Sequence, residues 1–202
     1  MMCNLPLSPF GERGRIFKGI FSQKTDNPIG MGMLVIIFPK RKEDPILLKK
    51  TVKDSQTEQV QLILPEDLNP SGRLFGGRLL AWIDIVAAIT ARRHAGCNVT
   101  TASIDRLQFK EGAFPGDTLV LRGRITYAGN TSMEIRVDTF RERDNGRLRL
   151  INTAYLVMVA IDQNQNPVKV PELVVETITE QMEWNAAVKR KELRKERKSL
   201  GY

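Results

Sequence analysis

Asp84 is a carboxylate among residues that should be buried. It closes the run Asn69-Pro70-Ser71-Gly72-Arg73-Leu74-Phe75-Gly76-Gly77-Arg78-Leu79-Leu80-Ala81-Trp82-Ile83-Asp84, in which a glycine-punctuated loop gives way to a strongly helical stretch. At helical spacing its neighbours are Leu80, Ala87, Ala88 and Ala91, all apolar. An unpaired carboxylate on such a face costs several kcal/mol, or it keeps a proton at neutral pH. A group held there reads as a general base or nucleophile with a tuned protonation state. The plainer alternative is a local bend or an arginine partner. Upstream, Gly76-Gly77 at the helix start offers free backbone N–H groups at the positive end of the helix dipole, which suits an anion or oxyanion. Asn69, before Pro70, is either a turn residue or an amide that orients a water or a substrate carbonyl.

The elements that must hold these groups follow from periodicity. Residues 59–64 form a β-like run closed by Pro65, and a helix is expected over about 77–94, with Gly96 as its stop. Beyond it the chain is nearly all β: 98–109, then 118–127 with Leu119, Leu121, Gly123, Ile125 and Tyr127 on one face. Residues 131–143 alternate again through Met133, Ile135, Val137 and Thr139, Asp144-Asn145-Gly146 signals a hairpin, and 147–161 is a long strand. One strand, one apolar helix and four more strands give an α+β class, an antiparallel sheet curled around a helix buried around most of its circumference. A second helix, about 178–198, begins with glutamates and ends in basic residues, matching its dipole.

Composition narrows the classes. The 202 residues suffice for one domain with extensions, and 42% hydrophobic with 27% charged residues is ordinary for a soluble globular chain. Two cysteines, Cys3 and Cys97, make neither a disulfide framework nor a multi-cysteine metal site, which suits a reducing, cytoplasmic setting. Of the formal net charge of +8, the stretch 189–198 carries +5. That tail reads as a solvated helix with Met182, Val188 and Leu193 touching a neighbour, or as a collar attracting a polyanion. It lacks the interleaved aromatics of a nucleic-acid binder. The apolar run 33–39 is far too short for a membrane span. Residues 1–50, with five prolines and five glycines, read as a poorly ordered extension that includes the alternative starts Met31 and Met33. The expected organisation is this extension, a domain over 52–165, then a linker and basic helix over 166–202.

The pattern Asn-x-x-Gly-x-x-Phe-Gly-Gly-x-Leu-Leu-x-x-x-Asp resembles the bacterial acyl-CoA hydrolases of the hotdog superfamily. So do Ala91-Arg92-Arg93-His94, Val99-Thr100-Thr101-Ala102-Ser103, Gly129-Asn130-Thr131-Ser132-Met133-Glu134, Val159-Ala160-Ile161-Asp162 and Pro167-Val168-Lys169-Val170-Pro171. The likeness spans about 52–198; it departs at Pro70-Ser71, where many relatives carry a polar residue such as His beside the asparagine. It implies a hotdog fold and hydrolysis of acyl-CoA to free CoA and a fatty acid. It also implies Asp84 as base or nucleophile, Asn69 as its partner across a subunit interface, and the N–H of Gly76 or Gly77 on the thioester carbonyl. Phe75, Thr101, Ser103, Thr131 and Ser132 would lie near the acyl or pantetheine channel. Arg92 and Arg93 are candidates for CoA phosphates, although two arginines in a last helical turn are also ordinary dipole partners. A homodimer, built into a hexamer, is the implied assembly. The alternative is a non-catalytic module that binds CoA or acyl-CoA.

The chemistry stands without the likeness. Thioester hydrolysis needs an activated water, an oxyanion site and a slot for a thin chain, and neither a metal nor an organic cofactor is expected. No Gly-x-Ser-x-Gly elbow is present. The only histidine, His94, reads as a capping or surface residue nearly three turns beyond Asp84, too far for a dehydratase-type dyad in one chain. Trp82 is expected to pack between subunits or against the sheet.

Overall fold

In the computed structural model, which describes residues 49–201, the periodicities resolve into seven strands and two α-helices. They are β1 (Lys49–Thr51), β2 (Thr57–Leu62), α1 (Gly76–Ala95), β3 (Asn98–Phe109), β4 (Thr118–Ala128), β5 (Ser132–Glu142), β6 (Leu148–Ile161), β7 (Glu172–Val174) and α2 (Ile178–Ser199). Five strands make one antiparallel sheet in the order β2-β4-β5-β6-β3. The extension expected over 1–50 lies outside the described residues except for Lys49 and Lys50. Those two belong to β1, which pairs in parallel with β7, so folded structure reaches upstream of the expected boundary at 52.

Alternation gives the sheet one apolar face, and α1 lies on it. Leu119, Leu121 and Ile125 of β4, Met133, Ile135 and Val137 of β5, and Ala154, Leu156 and Met158 of β6 form one core with Leu79, Trp82, Ile83, Val86, Ala87 and Ala91 of α1. Each large apolar side chain so buried contributes about 1.5–3 kcal/mol relative to exposure, which fixes α1 against the sheet far more firmly than helix propensity does. Gly123 sets how closely they approach. A Cβ there would stand 2.5 Å from Thr90 Oγ1 and 2.8 Å from Val86 Cγ1, so the crossing of α1 over β4 tolerates only hydrogen at that position. Gly96, at φ +72°, ends α1 and donates its N–H to Arg92 O at 2.8 Å.

The other face of the sheet is charged and lies under α2. Glu134 of β5 is completely buried there; its carboxylate accepts from Thr126 Oγ1 (2.8 Å), Arg190 Nη2 (2.7 Å) and Arg194 Nη1 (2.9 Å). Arg194 also pairs with Asp105, and Arg124 and Arg136 meet Asp138 and Glu183. Burial works against the Arg194 charge, but Asp105 and Glu134 outweigh it and hold the guanidinium above its ordinary pKa. This corrects the reading of the tail as a solvated helix or free collar: Arg190 and Arg194 spend their charge on the sheet. Of the three apolar residues expected to touch a neighbour, Met182 and Leu193 are exposed and Val188 is half-buried.

Two further expectations change. Tyr127 does not share the face of Leu119, Leu121 and Ile125. A bulge between Ile125 and Tyr127 turns it outward, where its ring lies 4.6 Å from that of Trp184 on α2. His94 is neither surface residue nor cap. It is fully buried, with Nε2 2.9 Å from Pro171 O just before β7 and Nδ1 without a partner among the described residues.

Burial pushes the His94 pKa down, aided by nearby Lys50 and opposed by the Pro171 hydrogen bond and Asp54. The folded chain therefore holds the imidazole proton less tightly than the unfolded chain, which takes one up near pH 6.5. Stability should fall as pH drops from 7.5 to 5.5, by up to about 1.4 kcal/mol per pH unit. Because this is the only histidine, His94→Gln should flatten that slope. Melting temperatures of both proteins across the interval test this, and equal slopes would refute it. Asp54 and Asp162 carry pKa values lowered from 3.8, by backbone hydrogen bonds first, and so act below this window.

Candidate active site

α1 carries both halves of the expected chemistry, but at different heights. Its first turn has no acidic residue and no side-chain cap, so the N–H groups of Gly76 and Gly77 have no acceptor within the helix. Asp84 lies seven residues beyond Gly77, about 10 Å along the axis at 1.5 Å per residue. No single carbonyl carbon touches both within one protomer.

Asp84 is half-buried rather than enclosed. Its Oδ1 accepts the Thr101 hydroxyl at 2.7 Å, and Thr101 also approaches Met158 Sδ at 3.4 Å. The expectation of a helix buried around most of its circumference fails here. A strip of α1 beside Asp84 remains open, with Ile85 48% and Ile89 38% exposed, and Phe75 at the helix start 55% exposed. Thr101 belongs to β3, whose only neighbour in the sheet among the described residues is β6, which leaves its other edge unpaired among them.

Asn69 and Gly76 meet elsewhere, in a cavity of about 430 Å³ walled by Leu74, Leu79, Ala113 and Ile151 with Arg73 and Lys110 at its rim. Asn69 fulfils its turn role: its Oδ1 accepts the N–H groups of Ser71 (2.9 Å) and Arg73 (3.2 Å). The carboxamide nitrogen has no partner among the described residues and stays available.

The remaining candidates separate. A bulge at Ala102 pairs Thr101 with Met158 but Ser103 with Val157. The two side chains therefore point to opposite faces of β3, Thr101 toward α1 and Ser103 toward α2. Ser132 pairs with Val159 on the α2 side, in a cleft with Lys191, Arg194 and Lys195. Thr131 contributes a carbonyl to the Ala160 N–H at 2.9 Å. Arg92 lines a cleft with Cys97, Asn98 and Asp162 at the far end of α1. Arg93 is turned to its own fold, bonding Gln56 O and, at 3.2 Å, Thr57 Oγ1. Of these remaining candidates, Thr101 alone among the described residues hydrogen-bonds Asp84, while Phe75 adjoins the helix start. Sequence reading passed over Asp67 and Arg78, which brace that start. Their signal was a cation in the first turn of a helix, where the dipole disfavours it.

Among the described residues no three His, Cys, Asp or Glu side chains cluster as metal ligands, and no helix is long and apolar enough to cross a membrane.

Comparison with known proteins identifies the family. The Thioesterase superfamily model matches residues 71–146. The chain is 38% identical over 147 residues to the uncharacterized acyl-CoA thioester hydrolase YkhA of Bacillus subtilis, covering 72% of this chain and 86% of that protein. Mammalian relatives are longer: the match to mouse acyl-coenzyme A thioesterase 11, at 32% identity, spans 25% of that protein. Among solved structures, an apo-hexameric acyl-CoA thioesterase superposes with a TM-score of 0.72 at 42% identity, over 75% of this chain and 98% of that one. The acyl-CoA hydrolase of Staphylococcus aureus, solved with butyryl-CoA and CoA, gives 0.71 at 36% identity over 74% and 92%. Further structures of that protein carry alanine in place of an aspartate, of an asparagine fifteen residues before it, and of a threonine seventeen after it. Asn69, Asp84 and Thr101 have the same spacing. With the curled antiparallel sheet around α1, these likenesses place the chain in the hotdog-fold thioesterase superfamily, to which it belongs.

Proposed function

We propose that this chain hydrolyses acyl-CoA thioesters to CoA and a carboxylic acid, at a site built between two protomers. The observation that carries the reading is the separation along α1. An uncapped pair of N–H donors and a carboxylate stand about 10 Å apart on one helix, so each needs a counterpart from elsewhere. A two-fold partner supplies it. The donors and Asn69 of one protomer then face Asp84 and Thr101 of the other, across the open β3 edge and the exposed Ile85–Ile89 strip. The hexameric thioesterases among the structural relatives support a homo-oligomeric assembly, in which such pairs would be the repeating unit.

In this site Asp84, oriented by the Thr101 hydroxyl, removes a proton from water as the oxygen bonds to the thioester carbonyl carbon. The carbonyl oxygen gains negative charge and is held by the Gly76 and Gly77 N–H groups. Collapse breaks the C–S bond, and the proton passes from Asp84 to the departing sulfur. The equivalent route has an Asp84 oxygen attack the carbonyl itself, expelling CoA and leaving an anhydride for water to open. Neither route calls on a metal or an organic cofactor, since CoA belongs to the substrate. The scarcity of cysteine and the cytosolic naming of rodent relatives support a cytosolic setting.

Free-thiol release from acyl-CoAs of increasing chain length tests the reading. Release above the blank with at least one chain length is expected, while tight CoA binding without release would leave the chain as a binding module.

A further inference from the structure

Asp67, in the loop between β2 and α1, is buried with both carboxylate oxygens engaged. Oδ2 accepts the Leu64 N–H at 3.0 Å and Oδ1 pairs with Arg78 Nε at 2.9 Å. Its carbonyl accepts the Phe75 N–H at 2.8 Å, and its own N–H donates to Leu64 O at 3.0 Å. Between Asp67 and Phe75 the chain doubles back through a Leu68–Leu74 bridge and an Asn69 N–H bond to Arg73 O at 2.7 Å. Asp67 thus holds both ends of the segment that presents Asn69 and delivers Gly76 and Gly77.

Arg78 occupies the third position of α1, where the dipole favours anions. Its ion pair with Asp67 accounts for the placement. The pairing also neutralises a carboxylate held against the first turn of α1, whose charge would oppose negative charge developing at the Gly76 and Gly77 N–H groups.

We infer that Asp67 and Arg78 are positioning residues, the pair fixing the start of α1 and cancelling its local negative charge so that the N–H groups serve an oxyanion. The inference rests on the hydrolase reading above. It predicts a change in turnover rather than in binding, because the charge it cancels matters most when the carbonyl oxygen becomes anionic.

The test is steady-state thiol release from one accepted acyl-CoA by wild type, Arg78→Met, Arg78→Lys and the double variant Asp67→Asn/Arg78→Met, with melting curves alongside. Arg78→Met should lower kcat about tenfold, less than the loss of a direct oxyanion donor, with KM nearly unchanged. Arg78→Lys should recover much of that loss. The double variant, which removes both charges, should be more active than Arg78→Met alone, an outcome that a purely mechanical clasp does not give. A kcat unaffected by Arg78→Met, a rise confined to KM, or a double variant no better than the single overturns the inference while leaving the hydrolase reading intact. A wild type that releases no thiol from any acyl-CoA overturns both.

Discussion

Asp84→Asn should reduce thiol release about 10²–10⁴-fold, the range that a positioned general base supplies. The change keeps size and shape and still offers Thr101 an oxygen acceptor, replacing one carboxylate oxygen by a nitrogen that takes no proton from water. Asp84 is only half-buried, so fold, assembly and melting temperature should stay near those of the parent. Near-normal turnover in the variant would end the proposed mechanism. A stronger form of the experiment addresses the shared site. Co-expression of Asp84→Asn with Asn69→Ala chains gives mixed pairs in which one site combines both defects and the other has neither. Activity should therefore reappear in the mixture although each variant alone is impaired. If both groups served the same site from one chain, mixing would restore nothing.

The second large effect concerns stability. Arg190 and Arg194 together neutralise Glu134, whose side chain has no exposure to solvent. Removing both, as Arg190→Ala/Arg194→Ala, leaves a buried anion with only the Thr126 hydroxyl, and should cost about 3–5 kcal/mol. Unfolding by urea measures the loss. Adding Glu134→Gln to the same background should restore part of it, because the stranded charge rather than the missing contact dominates. A double variant as stable as wild type would mean that water reaches Glu134 and that α2 is held chiefly by Trp184 and Ala187.

How much of this was legible beforehand depends on the interaction involved. α1 and the sheet strands stood out because each alternates or repeats over many residues, and every such element was expected within about two residues of its observed ends. What periodicity cannot carry is a register shift. A single extra residue at Ala102 separates Thr101 from Ser103, and another near Thr126 moves Tyr127 to the outer face. The docking of α2 was hidden for a different reason. Glu134 and Asp105 occupy polar positions of their strands and read as ordinary solvent-facing groups until Arg194 of α2, 60 and 89 residues away, is folded over them. His94 misled similarly, since the segment that buries it lies 77 residues downstream. Of the proposed site, Asp84, Asn69 and the glycine pair are candidates by type and spacing. Their distribution over two places on one helix was not legible there, because the sequence does not say which side of α1 the sheet leaves uncovered.

That distribution has a consequence for how two sites behave together. If donors at the start of α1 serve one site and the carboxylate two turns later serves the other, a single rigid rod is a shared part of both. A slide of α1 along its axis that brings its donors closer to one substrate must shift its carboxylate relative to the second by the same amount. In such a pair neither site would be tuned alone, and substrate occupying one of them would leave a mechanical imprint on its twin.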